Sequence, residues 1–424
     1  MAEDVVDAVD GRRRPARLRR ALGGRGALWA AFAVVHVALV AINLSGAGNA
    51  LGDVTLVYRV WAETAQHGWV RMGIDVPWVY PILAFAPMTA ALAFGSEWYG
   101  ATWLGLVTVL DAIAFGVLLG SGTLSRRRRA AAWWWVAFLV LLGPIALGRI
   151  DAVTVPFAVV GLLWAAGRPR VAAALLTIGA WIKVWPAALV AALVVASRRR
   201  GEVVIVAAAL TAGILGVSVL AGSGGNALGF VAEQAGRGLQ VESPFAVPWL
   251  WWIVGGTREA TIAYDRDILT FQIEGPGADA AAALTTPVMA LGAVLVLVAG
   301  LRAARRGAHL VALLPPLALA FTTVLIVANK VGSPQFVTWL AAPVILGIVL
   351  GGGRHLVPAG LALAIAVLTQ VIYPYWYGWL LIANPGFVVV LTVKVVLLVL
   401  LLLWAVRAVW QAGSARTPSD ESAA

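Results

Sequence analysis

Asp53 is the first residue whose type and place could do chemistry. It lies in Leu51-Gly52-Asp53-Val54-Thr55-Leu56-Val57-Tyr58, just past the first long apolar run. A carboxylate there can take the proton from an attacking hydroxyl, although aspartate is also a common helix N-cap. Four further clusters follow: Pro77-Trp78-Val79-Tyr80-Pro81; Gly148-Arg149-Ile150-Asp151 with Trp181-Ile182-Lys183-Val184-Trp185-Pro186; Arg237-Gly238-Leu239-Gln240-Val241-Glu242-Ser243-Pro244; and Asn329-Lys330-Val331-Gly332-Ser333-Pro334-Gln335-Phe336. Arg149, Lys183, Arg237 and Lys330 are cations of the kind that hold a phosphate, and Gln335, Gln240 and Glu242 suit phosphate or sugar hydroxyls. Each cluster also has a plain structural reading: a local Arg149–Asp151 pair, a snorkelling lysine, a solvated loop, a helix connection.

The elements that must position these residues are set by composition. Of 424 residues, 61% are hydrophobic and 12% charged, whereas soluble domains carry roughly a quarter charged residues. A water-soluble enzyme, a disordered chain and a fibrous protein are excluded, leaving a polytopic integral membrane protein. Cysteine is absent, which removes disulfides, thiol nucleophiles and zinc–thiolate sites. The net charge of +11 comes from basic residues placed between apolar runs, a pattern that suits topology and anionic membrane lipid better than nucleic acid. No Gly-x-x-x-x-Gly-Lys-[Ser/Thr] loop is present, so no nucleotide partner is expected. His36, His67, His309 and His355 lack metal-ligand spacing. Asp265-Arg266-Asp267 imitates a metal-binding carboxylate pair but falls on the face without nucleotide sugars; no metal and no cofactor are expected.

A span needs about 20 apolar residues. The runs predict an all-α protein with spans near 27–44, 98–121, 131–147, 152–167, 171–185, 186–197, 202–221, 284–301, 308–328, 335–350, 356–373 and 386–407, twelve in all, with both termini cytoplasmic. A basic segment, 1–26, precedes the catalytic membrane domain, 27–407, and an Ala/Ser-rich disordered cytoplasmic tail, 408–424, follows it. This arrangement puts Arg126–Arg129 and most other arginines inside. The acidic residues from Asp53 to Asp279, Asp111 and Glu202 apart, fall outside. The two long outer segments, 45–97 and 222–283, are where function is expected. Within the first, Val54–Gln66 reads as an amphipathic surface helix with Leu56, Val57, Val60, Trp61 and Ala65 on one face. Pro81–Gly95 reads as a second juxtamembrane or re-entrant helix. Asp111 and Lys394, charges inside predicted spans, are expected to pair or line a cavity. A secondary transporter or lipid flippase using them is the competing reading.

Taken in order, the five clusters resemble glycosyltransferase family eighty-seven of the C-type (GT-C) membrane glycosyltransferase superfamily. The resemblance rests on Asp53 before Tyr58, Tyr80-Pro81, Lys183-Val184-Trp185-Pro186, Arg237 to Ser243 and Lys330 to Gln335, and spans about residues 45–345. The family often has Tyr-Pro-Pro where this chain has Tyr80-Pro81-Ile82, and Gly-Gln-x-Asn where it has Gly148-Arg149-Ile150-Asp151. The resemblance implies a GT-C-like fold in the plasma membrane with an extracytoplasmic site. It also implies inverting transfer of mannose, or a similar sugar such as lipid-linked arabinose, from a polyprenyl-phosphate-linked donor to a glycolipid or cell-envelope glycan. Asp53 would be the catalytic base, with Lys183, Arg237, Lys330, Gln335 and Arg149 at the donor phosphate and sugar. Gln240, Glu242, Tyr58 and Tyr80 would face the acceptor or sugar, and Arg59 would support the surface helix or the phosphate.

Overall fold

Apolar runs cut by proline, glycine and arginine give helices that stop where those residues fall. A computed structural model describes residues 24–266 and 268–414. The arginines of the basic segment before residue 24, Asp267, and the tail from residue 415 with Arg416 lie outside the described residues.

The helices in chain order are α1 Arg25–Leu44, α2 Arg59–Gln66, α3 Phe85–Ala90, α4 Tyr99–Leu119, α5 Arg126–Leu142, α6 Ile150–Trp164, α7 Pro169–Ile182, α8 Pro186–Ala196 and α9 Arg200–Leu220. They continue with α10 Phe230–Ala235, α11 Val247–Val254, α12 Ala278–Arg305, α13 Leu310–Val327, α14 Ala341–Gly351, α15 Leu356–Ile372, α16 Tyr377–Leu381 and α17 Pro385–Ala412. Each of the twelve apolar runs is thus represented by a helix. Among the described residues, eight helical stretches are long and apolar enough to cross a membrane, one of them the composite Pro334–Ile372. The helices α6, α7 and α8 are shorter apolar pieces, begun or interrupted by Pro156, Pro169 and Pro186. Burial separates the centre from the rim. The apolar window of α13 is 72% buried, whereas those of α9 and α12 are 11% and 17% buried and present apolar surface outward, as expected of lipid-facing helices.

Four details differ from the sequence reading. Residues 261–274 form an antiparallel hairpin, β1 Thr261–Asp265 and β2 Thr270–Glu274, so the chain is not wholly helical. The alternation in Thr261-Ile262-Ala263-Tyr264 is short and was masked by its acidic neighbours. The helix expected over Val54–Gln66 begins as a π-helical turn, Asp53–Tyr58. Its buried stripe is Val54, Tyr58 and Ala62; of the expected apolar face, Leu56 and Val60 are exposed while Val57 and Trp61 pack against the core. Pro81–Gly95 is only a 3₁₀ turn, Ile82–Ala84, followed by six-residue α3. Finally, α17 continues through residues 408–412, which were assigned to the tail.

The arginines at the other end of the bundle have a local task of their own. Gly120 stops α4 with a positive φ of 67°, leaving its last carbonyls without helical partners. Arg128 donates to the carbonyls of Val117 and Leu118 at 3.0 and 2.7 Å, and Arg25 donates to that of Gly120 at 2.9 Å. Arg127 donates to the carbonyl of Leu350 at the end of α14 at 2.7 Å. Positive charge there also complements the helix dipole. Removing this cap in Arg128→Ala should lower stability by about 1–2 kcal/mol, read as a lower thermal midpoint of the purified protein in detergent, with Arg129→Ala as the comparison.

Candidate functional site

Gly148 ends the turn after α5 and passes so close to the first long loop that a Cβ on it would lie 2.7 Å from the Ala50 carbonyl oxygen. Arg149 follows in extended conformation as the residue before α6. Its buried guanidinium donates to the carbonyls of Ala50 and of Gly148, the latter at 2.8 Å, and to the Tyr373 hydroxyl at 2.8 Å. Its Nε lies 3.0 Å from Asp53 Oδ2. Burial works against the charge of Arg149, and Asp53 together with Tyr373, Tyr58 and Tyr80 more than offsets that. Arg149 is therefore committed to protein groups, and the Arg149–Asp151 pair considered from sequence does not form. Asp53 is held at one oxygen while its side chain remains 44% exposed, the combination a base needs to meet a hydroxyl.

Tyr58 stands one turn beyond Asp53, and its hydroxyl is 3.3 Å from that of Tyr80. Burial, then Tyr80 and Asp53, hold the Tyr58 hydroxyl well above the usual phenol range, so it stays protonated. Tyr80 carries the ring over which Lys183 sits, Nζ to centroid 4.4 Å. Lys183 is extended because Pro186 cannot continue the ladder of α7, and its ammonium swings out of the helix break. Asp151 Oδ2 lies 4.0 Å away. That carboxylate is fully buried and accepts from Trp339 Nε1 at 2.7 Å. Trp339 stacks on Trp185 and on Phe336, at 5.5 and 4.2 Å between centroids.

Phe336 extends this first cluster toward the second. Its neighbour Gln335 is buried in the 3₁₀ turn Pro334–Leu340, and Lys330 lies on the strand-like approach to it. Gln240 N donates to the Lys330 carbonyl at 3.0 Å, and Ser243 Oγ to the Asn329 carbonyl at 2.8 Å. Gly332 is obligatory: an added Cβ would fall 2.0 Å from the carbonyl carbon of Glu242. Lys330 is pushed below the ordinary lysine range by burial and then by the like charge of Arg237. Residues 239 to 241 pair by backbone with β2, through Ile273 N to Leu239 O and Val241 N to Phe271 O. Glu242, expected at a sugar hydroxyl, is instead enclosed, with Oε2 2.7 Å from Lys394 Nζ.

The structure thus brings Asp53, Tyr58, Tyr80, Arg149 and Lys183 into one cluster. Arg237, Gln240, Glu242 and Lys330 form an adjoining one, joined along the chain from Lys330 to Phe336, whose ring lies 6.0 Å from Lys183 Nζ, and through Tyr373, which feels both Arg149 and Glu242. Arg59 lies apart from the phosphate candidates and pairs with Glu63 at 3.8 Å. Of the two expectations for Asp111 and Lys394, pairing with each other is not found: Asp111 meets His36 Nε2 at 3.2 Å and Lys394 meets Glu242, while Asp111 does border a small cavity with Trp135 and Thr338. A helix-to-helix guess made from hydropathy alone had no information on which faces meet. Tyr373, Trp339 and the counter-ion role of Asp151 were missed. Tyr373-Pro374-Tyr375-Trp376-Tyr377 reads as an interfacial aromatic belt, and nothing in its spacing separates Tyr373 from the rest.

Residues 78–253 match the model of glycosyltransferase family 87. The chain resembles that family over this stretch, in agreement with its motifs, and the match indicates a membrane glycosyltransferase. No curated protein and no solved structure matches the chain. The matched stretch includes Tyr80, Arg149, Asp151, Lys183, Arg237 and Glu242, while Asp53 and Lys330 lie outside it. Arg149→Lys keeps the charge but not the planar set of donors. It should lower the glycosyl-transfer rate by about 10²-fold through misplacement of Asp53, measured on protein whose thermal midpoint shows that it remains folded; an undiminished rate would show that the anchor is dispensable.

Proposed function

We propose that the protein transfers a mannosyl or similar hexosyl unit from a polyprenyl-phosphate-linked donor to a glycolipid or cell-envelope glycan, with inversion, on the extracytoplasmic face of the plasma membrane. The observation that carries this reading is the juxtaposition of a half-exposed, anchored carboxylate with an unusual density of cations. Asp53 accepts the proton of an acceptor hydroxyl while the oxygen attacks C1 of the sugar. The bond from C1 to the phosphate oxygen breaks, and polyprenyl phosphate leaves with the electron pair. Its negative charge needs positive neighbours placed in advance; Lys183, Arg237 and Lys330 supply them, with Gln335 as an amide donor. The hydroxyls of Tyr58 and Tyr80 orient the sugar or acceptor. The scheme requires neither metal nor nucleotide, because the leaving group is already an activated phosphate ester.

An apolar cleft of about 430 Å³ favours a lipid-linked donor. It is lined by Ile74, by Ile82 and Leu83, two and three residues after Tyr80, and by one side of α9 from Ala209 to Ser218 with Ala221 just beyond it. A prenyl chain would lie there with its phosphate toward Lys183. The transporter reading loses its support, since Asp111 and Lys394 are each committed to a partner other than the other.

Purified protein in liposomes, given polyprenyl-phosphate-mannose and a glycolipid acceptor, should form the α-mannoside. Transfer from a nucleotide sugar and none from the lipid donor would overturn the reading. Asp53→Asn should lower kcat by about 10²–10⁴-fold with little change in KM, and undiminished turnover would remove Asp53 from the chemistry. The pH dependence has a definite sign. A bound phosphate favours protonated Lys330, whose proton is held weakly in the free site, so affinity for polyprenyl phosphate should fall as pH rises through that lowered value. Arg237→Gln removes the like charge and should move the fall to higher pH.

A further inference from the structure

The first unexplained feature is a charge inside a membrane helix. Lys394 sits within α17, 5% exposed, where an unpaired ammonium is costly. Its partner, Glu242, comes from the loop that carries Arg237 and is 4% exposed. Only one carboxylate oxygen is used: Oε2 takes Lys394 Nζ at 2.7 Å, and Oε1 is buried without a hydrogen bond. The backbone of Glu242 is in contact with Gly332, two residues from Lys330, and the preceding Gln240 is hydrogen-bonded to the Lys330 carbonyl. Lys330 in turn feels Arg237. A buried anion therefore sits on the loop that carries one of the cations assigned to the phosphate, with its backbone packed on the segment that carries the other and its charge felt by Tyr373 at the site.

We propose that Lys394 is a positioning residue for donor binding: it cancels the charge of Glu242, so that Arg237 and Lys330 present a net positive field to the phosphate. This rests on the reading above that those two residues hold the donor phosphate. Glu242 is a loop fastener, tied to α17 on one side and packed on Gly332 on the other, and an uncompensated carboxylate in that position would repel the phosphate it helps to place. Lys394 supplies the compensation from a helix remote in sequence, and it touches no substrate. A purely structural salt bridge would make loss of either partner equally harmful. Charge cancellation predicts opposite signs for the two single substitutions.

The test is binding of a sugar-free polyprenyl phosphate of fixed length to the full-length protein in detergent, with the corresponding polyprenol as the control lacking charge. K394M should weaken polyprenyl phosphate binding by about tenfold or more, whereas E242Q should leave it equal or tighter. E242Q/K394M and K394R should both lie within about threefold of the unaltered protein. Polyprenol binding should be the same in all four. If K394M does not fold, E242Q and the double variant decide, since weakening by E242Q, or weak binding by a folded double variant, overturns the proposal. Equal weakening by the two single substitutions, or unchanged binding by folded K394M, also overturns it. If the unaltered protein binds polyprenyl phosphate no better than polyprenol, the phosphate site itself is wrong and both readings fall together.

Discussion

The candidate site depends on one buried guanidinium. A charge in a water-poor environment persists only when its donors are used and an opposite charge is near. Arg149 has the opposite charge in Asp53 of the first long loop. It spends its terminal nitrogens on the Ala50 carbonyl of that loop, the neighbouring Gly148 carbonyl and the Tyr373 hydroxyl after α15, while Nε faces Asp53 as an ion pair without a hydrogen bond. None of these groups could be withdrawn without stranding the cation. The loop that carries Asp53 is therefore held to the helical frame by electrostatics and hydrogen bonding as well as by the burial of Leu51, Val54 and Tyr58 beside it.

The same constraint recurs through the bundle. His36–Asp111 and Glu242–Lys394 join elements far apart in sequence, and Lys183–Asp151 ties the consecutive helices α6 and α7. Ion pairs of this kind add little net stability compared with apolar packing, but they penalise any arrangement in which the partners are separated. They specify which helix faces meet in a chain whose helices are otherwise uniformly Ala-, Leu- and Val-rich. That specification is needed here because lipid competes with every apolar interface.

Much of the helical framework was legible in the sequence because the physics is local. Runs such as 202–221 and 386–407 can only be helices in a bilayer, and Pro186 or Gly120 marks where they stop. The clusters around Asp53, Lys183, Arg237 and Lys330 were legible as chemistry because charges in apolar surroundings stand out. Pairings were not: Arg149 with Asp53 and Lys394 with Glu242 depend on crossings between elements about 100 to 150 residues apart, which no periodicity encodes. The hairpin at 261–274 was missed for the opposite reason, being too short and polar to raise a signal against its surroundings.

Lys183 and Asp151 stand 4.0 Å apart, outside hydrogen-bonding range. The carboxylate is drawn aside by the Trp339 indole, and the ammonium rests on the Tyr80 ring, a face that attracts positive charge without accepting a directed bond. The lysine is neutralised at a distance while its N–H groups stay unspent toward Asp151. An arriving anion would then find donors it need not first detach from that carboxylate, and its departure would leave the ammonium with the same counter-charge as before. Such a cation can take up and release its guest repeatedly with little reorganisation, a property that belongs to turnover more than to tight holding.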